Sequence, residues 1–139
     1  MTARRTIDDL LAEARLRLDR VTPEEAFEKM RGGAVLVDVR SEDERKRQGI
    51  VPGAVHYPLS VVLWRLDPVQ ETGNPKLPLD TRVMLLCRQG YSSSLAAAQL
   101  QATGFMRATD VIGGAEAWIA AGLPALPPTG APGNPDRGI

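Results

Sequence analysis

The chain has 139 residues, enough for one domain with one substantial hydrophobic core. Its hydrophobic content of 43% and charged content of 24% are ordinary for a globular protein. The 17 basic residues balance the 17 acidic ones, which argues against nucleic acid or an acidic membrane surface as the main partner.

Met1 to Arg20 alternates charged and apolar residues without assembling an apolar run, so it does not read as a secretory leader. Within it Ile7, Leu10, Leu11, Ala14 and Leu18 recur at the spacing of one helical face, with Thr6 as the N-cap. This helix (residues 1–20) is expected to be packed on, or appended to, a domain spanning 21–124. Thr22-Pro23-Glu24-Glu25 is a strong helix start: threonine caps, proline suits the first helical position, and Glu25 closes a capping box. Gly32-Gly33 should end that helix. Ala34 to Val39 reads as a buried strand with Asp38 and Arg40 at its carboxyl end.

Ser41 to Glu44 forms a second capping box, opening a short charged helix that stops near Gly49. Its Arg45-Lys46-Arg47 run is read as a solvated face. Val55 to Leu59 is a short strand with Pro58 at its end, and Val61 to Leu66 a helix. Gln70 to Asp80 is a surface loop. Arg82 to Leu86 is a second apolar strand that runs directly into Cys87. Beyond Cys87-Arg88-Gln89-Gly90-Tyr91-Ser92, a serine-capped, alanine-rich helix extends from Ser93 to Thr103. Thr109 to Ile112 is the last strand, and Ala115 to Ala121 the last helix. Residues 125–139, rich in proline and glycine, read as a flexible tail. Strands separated by helices imply an α/β fold with a parallel sheet covered on both faces. No segment is long enough to span a bilayer.

The chemistry centres on Cys87, the only cysteine. It stands at the carboxyl end of an apolar strand, just before a helix, where ligands collect in open α/β sheets. A helix N-terminus offers unpaired N–H groups and a partial positive charge, which stabilise a thiolate relative to a thiol. The short loop with Gly90 can curl its amides around one centre as anion-binding nests do, and Arg88 adds positive charge. With one cysteine there is no internal disulfide, and a lone reactive thiol suits a reducing cytoplasm, the expected compartment. Cys87 and His56 are the only thiol and imidazole, so neither a metal nor a cofactor is expected.

The loop Cys87-Arg88-Gln89-Gly90-Tyr91-Ser92-Ser93 resembles the active-site loop of rhodanese-like sulfurtransferases, of the form C-x-x-G-x-[R/S]-S. Val35-Leu36-Val37-Asp38-Val39-Arg40, Gly49-Ile50-Val51-Pro52-Gly53-Ala54-Val55 and Gly113-Gly114-Ala115-Glu116-Ala117-Trp118 resemble further segments of that family, in the same order. Each motif alone is weak; the four together are specific.

The resemblance implies a rhodanese-like α/β fold with a central parallel sheet of about five strands. It also implies sulfur transfer through a Cys87 persulfide, from a small anionic donor such as thiosulfate to cyanide or a thiol. Loop amides from Arg88 to Ser92 would hold the persulfide charge. Many members carry arginine where this chain has Ser92, which bears on thiosulfate use. Neither nucleic acid nor membrane is expected as a partner, and a protein sulfur acceptor is left unidentified.

Two other readings compete with this one. A cysteine-dependent phosphatase or arsenate reductase needs C-x5-R to clamp the phosphoryl oxygens, and Ser93 stands at that position. A non-catalytic rhodanese-like binding module is the more serious alternative. Asp38 and Arg40 support the loop or, more simply, hold structure, with Asp38 on loop amides and Arg40 on a helix carboxylate. His56 reads as a packed or surface histidine rather than a proton relay. Trp64 and Trp118 read as core or lid residues.

Overall fold

Three helices begin at reciprocal caps. In each, a hydroxyl accepts the N–H three residues on, and the acidic side chain there accepts the cap's own N–H. Thr6 and Asp9 open α1 (Ile7–Leu16), Thr22 and Glu25 open α2 (Pro23–Arg31), and Ser41 and Glu44 open α3 (Glu42–Gln48). Hydrogen bonds from the Thr22 backbone and hydroxyl hold the Glu25 carboxyl below its ordinary pKa. The computed structural model describes residues 3–70 and 77–128.

Strands β1 (Val35–Asp38), β2 (Val55–His56), β3 (Val83–Leu86) and β4 (Thr109–Asp110) form one parallel sheet in the order β2-β1-β3-β4. About five strands were expected; four form among the described residues. The fifth position is a single parallel bridge between Val21 and Val111. It cannot lengthen, because Thr22 already caps α2 and Pro23, at its first position, has no N–H to donate. The second strand is likewise shorter than expected, although Leu59 N–H still reaches Val39 O at 3.0 Å beyond Pro58.

The central strands are apolar throughout because both faces of the sheet are covered. Val37, Val83 and Leu85 point to one side, against Val62 and Leu66 of α4 (Val62–Leu66) and Ala96, Ala97 and Leu100 of α5 (Ser92–Ala102). Leu36, Met84 and Leu86 point to the other, against Ala26 of α2 and Trp118 of α6 (Gly114–Ala120). The alternation is the two-residue period of a strand, so each strand feeds both half-cores. The first helix lies against α5 and buries Ala14.

Trp118 is fully buried and donates its Nε1–H to Pro124 O at 2.9 Å. Trp64, by contrast, is 60% exposed on α4 and is not a core residue. A five-residue helix has one side toward the sheet, and Val62 and Leu66 occupy it. The basic run on α3 is not uniformly solvated either: Arg45 Nε donates to Asp38 Oδ2 at 3.1 Å, and Arg47 pairs with Asp43. Leu126 N–H bonds Ile50 O at 2.7 Å, so residues 125 and 126 run along the domain. The remainder of the expected tail, 129–139, and residues 71–76 of the expected loop lie outside the described residues. No helix among the described residues is long and apolar enough to cross a membrane.

Candidate active site

The order β2-β1-β3-β4 makes the chain step one way from β1 and then the other, which opens a crevice beyond the carboxyl ends of β1 and β3. Val39, Arg40 and Ser41 follow β1 into that crevice, and Cys87 and Arg88 follow β3. With Glu44, Pro58, Leu59, Ser60 and Ser92 they line a cleft of about 250 Å³. A smaller recess beside it is lined by Cys87, Gln89, Tyr91 and Ser92. Cys87 is only 6% exposed and lines both hollows.

In the loop from Cys87 to Ser93 the Gly90 amide meets the sulfur, while the carbonyls of Cys87, Arg88 and Gly90 are held by groups outside the loop. Ala115 N–H bonds Cys87 O at 2.8 Å and Glu116 N–H bonds Arg88 O at 3.1 Å, so the first turn of α6 satisfies two loop carbonyls. That approach requires Gly114, because a Cβ there would stand 2.4 Å from Cys87 O. Gly90, at φ +88°, points its own N–H at Cys87 Sγ, 3.0 Å away. A Cβ on Gly90 would meet Gly113 N at 2.8 Å, so this tight turn suits glycine in both conformation and space.

The remaining loop residues take separate places. Arg88 Nε lies 3.4 Å from Glu116 Oε1, and Gln89 Nε2 donates to Glu116 Oε2 at 3.2 Å. Glu116 thus ties down both side chains, and the charge of Arg88 is shared with it. Tyr91 is half exposed, under the guanidinium of Arg15. Ser92 faces the cleft. The expected serine cap of the following helix is not formed: Tyr91 is the N-cap and makes no side-chain bond. The serines turn inward instead. Ser93 Oγ lies 3.1 Å from Cys87 Sγ and donates to Asp110 Oδ2 at 2.7 Å, and Ser94 Oγ donates to the same oxygen at 2.7 Å.

Asp110 was not singled out from the sequence, yet it is the buried hub behind the loop. Arg20 clamps it with Nε at 2.8 Å from Oδ1 and Nη2 at 3.2 Å from Oδ2. The available signal was an acid inside the apolar run Thr109 to Ile112, since a buried carboxylate needs partners. Arg20 Nη2 also donates to Gly90 O at 3.1 Å, and Arg15 Nη2 to the same carbonyl at 2.8 Å. Arg15 Nε reaches Ser94 Oγ at 3.1 Å.

Asp38 and Arg40 pair with each other; Asp38 also accepts an amide just past the strand, and Arg40 takes Asp38 rather than a helix carboxylate as its anionic partner. Arg40 Nη2 stands 2.7 Å from Asp38 Oδ2, and Arg40 Nε and backbone N–H each lie 3.0 Å from Oδ1. Gly49 O and Gln48 Oε1 take two further guanidinium donors, so Arg40 ties the end of β1 to the end of α3. Both side chains are wholly buried. His56 Nε2 sits 2.8 Å from Arg40 O, and the side chain is partly buried. Among the described residues no group of His, Cys, Asp and Glu is arranged to hold a metal.

A family model, the rhodanese-like domain, matches residues 22–121. A sulfurtransferase of Allochromatium vinosum is 33% identical over 96 residues, which cover 69% of this chain and 81% of that protein. An adenylyltransferase and sulfurtransferase of Arabidopsis thaliana is 34% identical over 101 residues, but they span only 22% of its length. Among solved structures, a protein of unknown function from Rhodopseudomonas palustris, described as a possible tyrosine phosphatase, superposes with a TM-score of 0.79. It is 29% identical, and the match covers 90% of this chain and 97% of that one. The polysulfide-sulfur transferase homodimer of Wolinella succinogenes superposes with a TM-score of 0.65 at 23% identity, covering 84% and 83%, and shares the fold. The four-stranded parallel sheet, the loop that cups Cys87 and these matches together establish that the chain belongs to the rhodanese-like sulfurtransferase family.

Proposed function

We propose that Cys87 carries the transferred sulfur as a persulfide, moving it from a small anionic donor such as thiosulfate to a thiol or cyanide. The observation that carries this reading is the Gly90 N–H on Cys87 Sγ at 3.0 Å, at the foot of an open cleft. An amide aimed at sulfur favours its anionic form, and carbonyls held outward leave the loop's remaining amides for a second, terminal sulfur.

In the first half-reaction the Cys87 thiolate attacks the outer sulfur of thiosulfate. The S–S bond of the donor breaks, sulfite leaves with the bonding pair, and Cys87 becomes Cys–S–S⁻. In the second, an acceptor thiolate or cyanide attacks the terminal sulfur and the Cys87 thiolate leaves. Charge balances in both steps, and no external oxidant is needed. Ser92, where many relatives carry arginine, gives the cleft a hydroxyl in place of a fixed cation. Organic persulfides are therefore suitable donors beside thiosulfate. The single cysteine supports a reducing compartment, the cytoplasm, as the place of action.

The phosphatase reading suggested by one structural neighbour finds no support in the loop. The position six residues after the cysteine is Ser93, fully buried and bonded to Asp110, where that chemistry needs an arginine facing the substrate.

Intact-mass measurement after treatment with thiosulfate or an organic persulfide tests the proposal. The expected result is a gain of one sulfur, about 32 Da, confined to Cys87 and reversed by a thiol. Cys87→Ser should fold normally and transfer no sulfur. An unchanged wild-type mass under every donor would favour the binding-module alternative.

A further inference from the structure

Arg15 and Arg20 both precede residue 22, where the family match begins, yet both end on the active-site loop. We propose that these two arginines are positioning residues for Cys87: they grip the Gly90 carbonyl from behind and thereby aim the next amide at the sulfur-binding hollow. The inference rests on the proposed role of Cys87 as the reacting thiol.

The argument starts from the planar trans peptide, in which C=O and the following N–H point to opposite sides. Gly90 O receives Arg15 Nη2 at 2.8 Å and Arg20 Nη2 at 3.1 Å, so this carbonyl is fixed toward α1 and the segment that follows it. The Tyr91 N–H of the same peptide is then turned away from the guanidinium groups. Two cations on the oxygen also polarise the peptide, which raises the positive character of that N–H. Gly90's own N–H already bonds Cys87 Sγ, so two consecutive amides are governed by the residue the arginines hold.

The grip is itself supported. Arg15 Nε bonds Ser94 Oγ, Ser94 bonds Asp110, and Asp110 clamps Arg20, which closes a ring of side chains around the loop's back. Arg15 is held over the Tyr91 ring at 5.7 Å. Arg15 and Arg20 thus bring two positive charges to the back of the loop. The other charged groups near Cys87 are Arg88, paired with Glu116; Asp110, reached through Ser93; and Arg40 and Glu44 on the cleft wall. The side chains that meet the Gly90 carbonyl are Arg15, Arg20 and, at 3.4 Å, Ser94.

Alkylation of Cys87 by iodoacetamide, followed across pH on the full chain, tests this without any sulfur donor. Arg15→Gln should lower the rate about tenfold at mildly acidic pH, the scale of one charge-assisted hydrogen bond, and converge with wild type in alkaline buffer. Arg15→Lys keeps the charge but cannot span Ser94 and Gly90, so it should show a smaller fall of the same kind. Arg17→Gln removes an equal charge from the same segment without touching the loop, and should match wild type.

A merely structural role predicts the opposite sign: loosening the first helix would expose the sulfur and raise alkylation at every pH. That outcome, or wild-type profiles in both Arg15 variants, would overturn the proposal. If Arg15→Gln does not fold, the Arg15→Lys profile decides. Normal persulfide formation in wild type with an unaltered Arg15→Gln profile sinks this inference alone. Absent persulfide formation with an arginine-dependent profile sinks the sulfur-transfer reading alone.

Discussion

Two buried aspartate–arginine pairs flank the cysteine-bearing strand, one beyond β1 and one at β4. They look alike and differ in what they hold. Asp38 and Arg40 are two residues apart and entirely buried; the spare donors of Arg40 go to Gly49 and Gln48, and Asp38 also accepts from Arg45 of α3. This pair fastens a helix to a strand. Asp110 and Arg20 are ninety residues apart, and their spare contacts go to Ser93, Ser94 and Gly90, all in or just after the loop around Cys87. The same kind of ion pair thus serves architecture on one side of β3 and the loop around Cys87 on the other. Burial of a charged pair alone does not say which; the identity of its remaining partners does.

The largest effect that would break this comparison is on the Asp110 side. Asp110→Ala removes the anionic partner of Arg20 and the acceptor of two serine hydroxyls, at an expected cost of about 3–5 kcal/mol in denaturant unfolding. The protein that remains folded should also lose Cys87 persulfide formation. Asp38→Ala removes the acceptor for four donors and should cost about as much stability. Its folded fraction, however, should keep the pH profile of Cys87 alkylation. Equal damage to that profile in both variants would erase the distinction.

The smallest effect lies away from both pairs, in the α2 capping box. Glu25 has its pKa lowered in the folded state, so its contribution is present above the unfolded value and disappears as pH falls through the folded one. Glu25→Gln should therefore flatten that part of the acid limb of the stability curve and leave neutral-pH alkylation of Cys87 untouched.

Local features of the chain were legible because their causes are local. The boxes Thr22–Glu25 and Ser41–Glu44 join residues three apart, and both form. The apolar runs Val35–Asp38 and Val83–Leu86 are the two central strands, since strands buried on both faces need no polar alternation. The cysteine at the end of the second strand, with glycine three residues on, marked the loop. The serine cap was misjudged for a physical reason: a serine at a helix start has the cap as its nearest option, but here Asp110 offers a buried acceptor that local sequence does not reveal.

What the amino-acid order settled by itself was the class of fold and the place of the single cysteine at a strand–loop–helix junction, because both follow from periodicity and turn residues read over a few positions. Only the tertiary structure decided which charges reach that junction. Arg15, Arg20 and Asp110 lie 75, 70 and 17 residues from the loop positions they bond. Such pairings depend on where α1 and β4 come to rest against α5, and that is fixed by packing of the whole chain rather than by spacing along it.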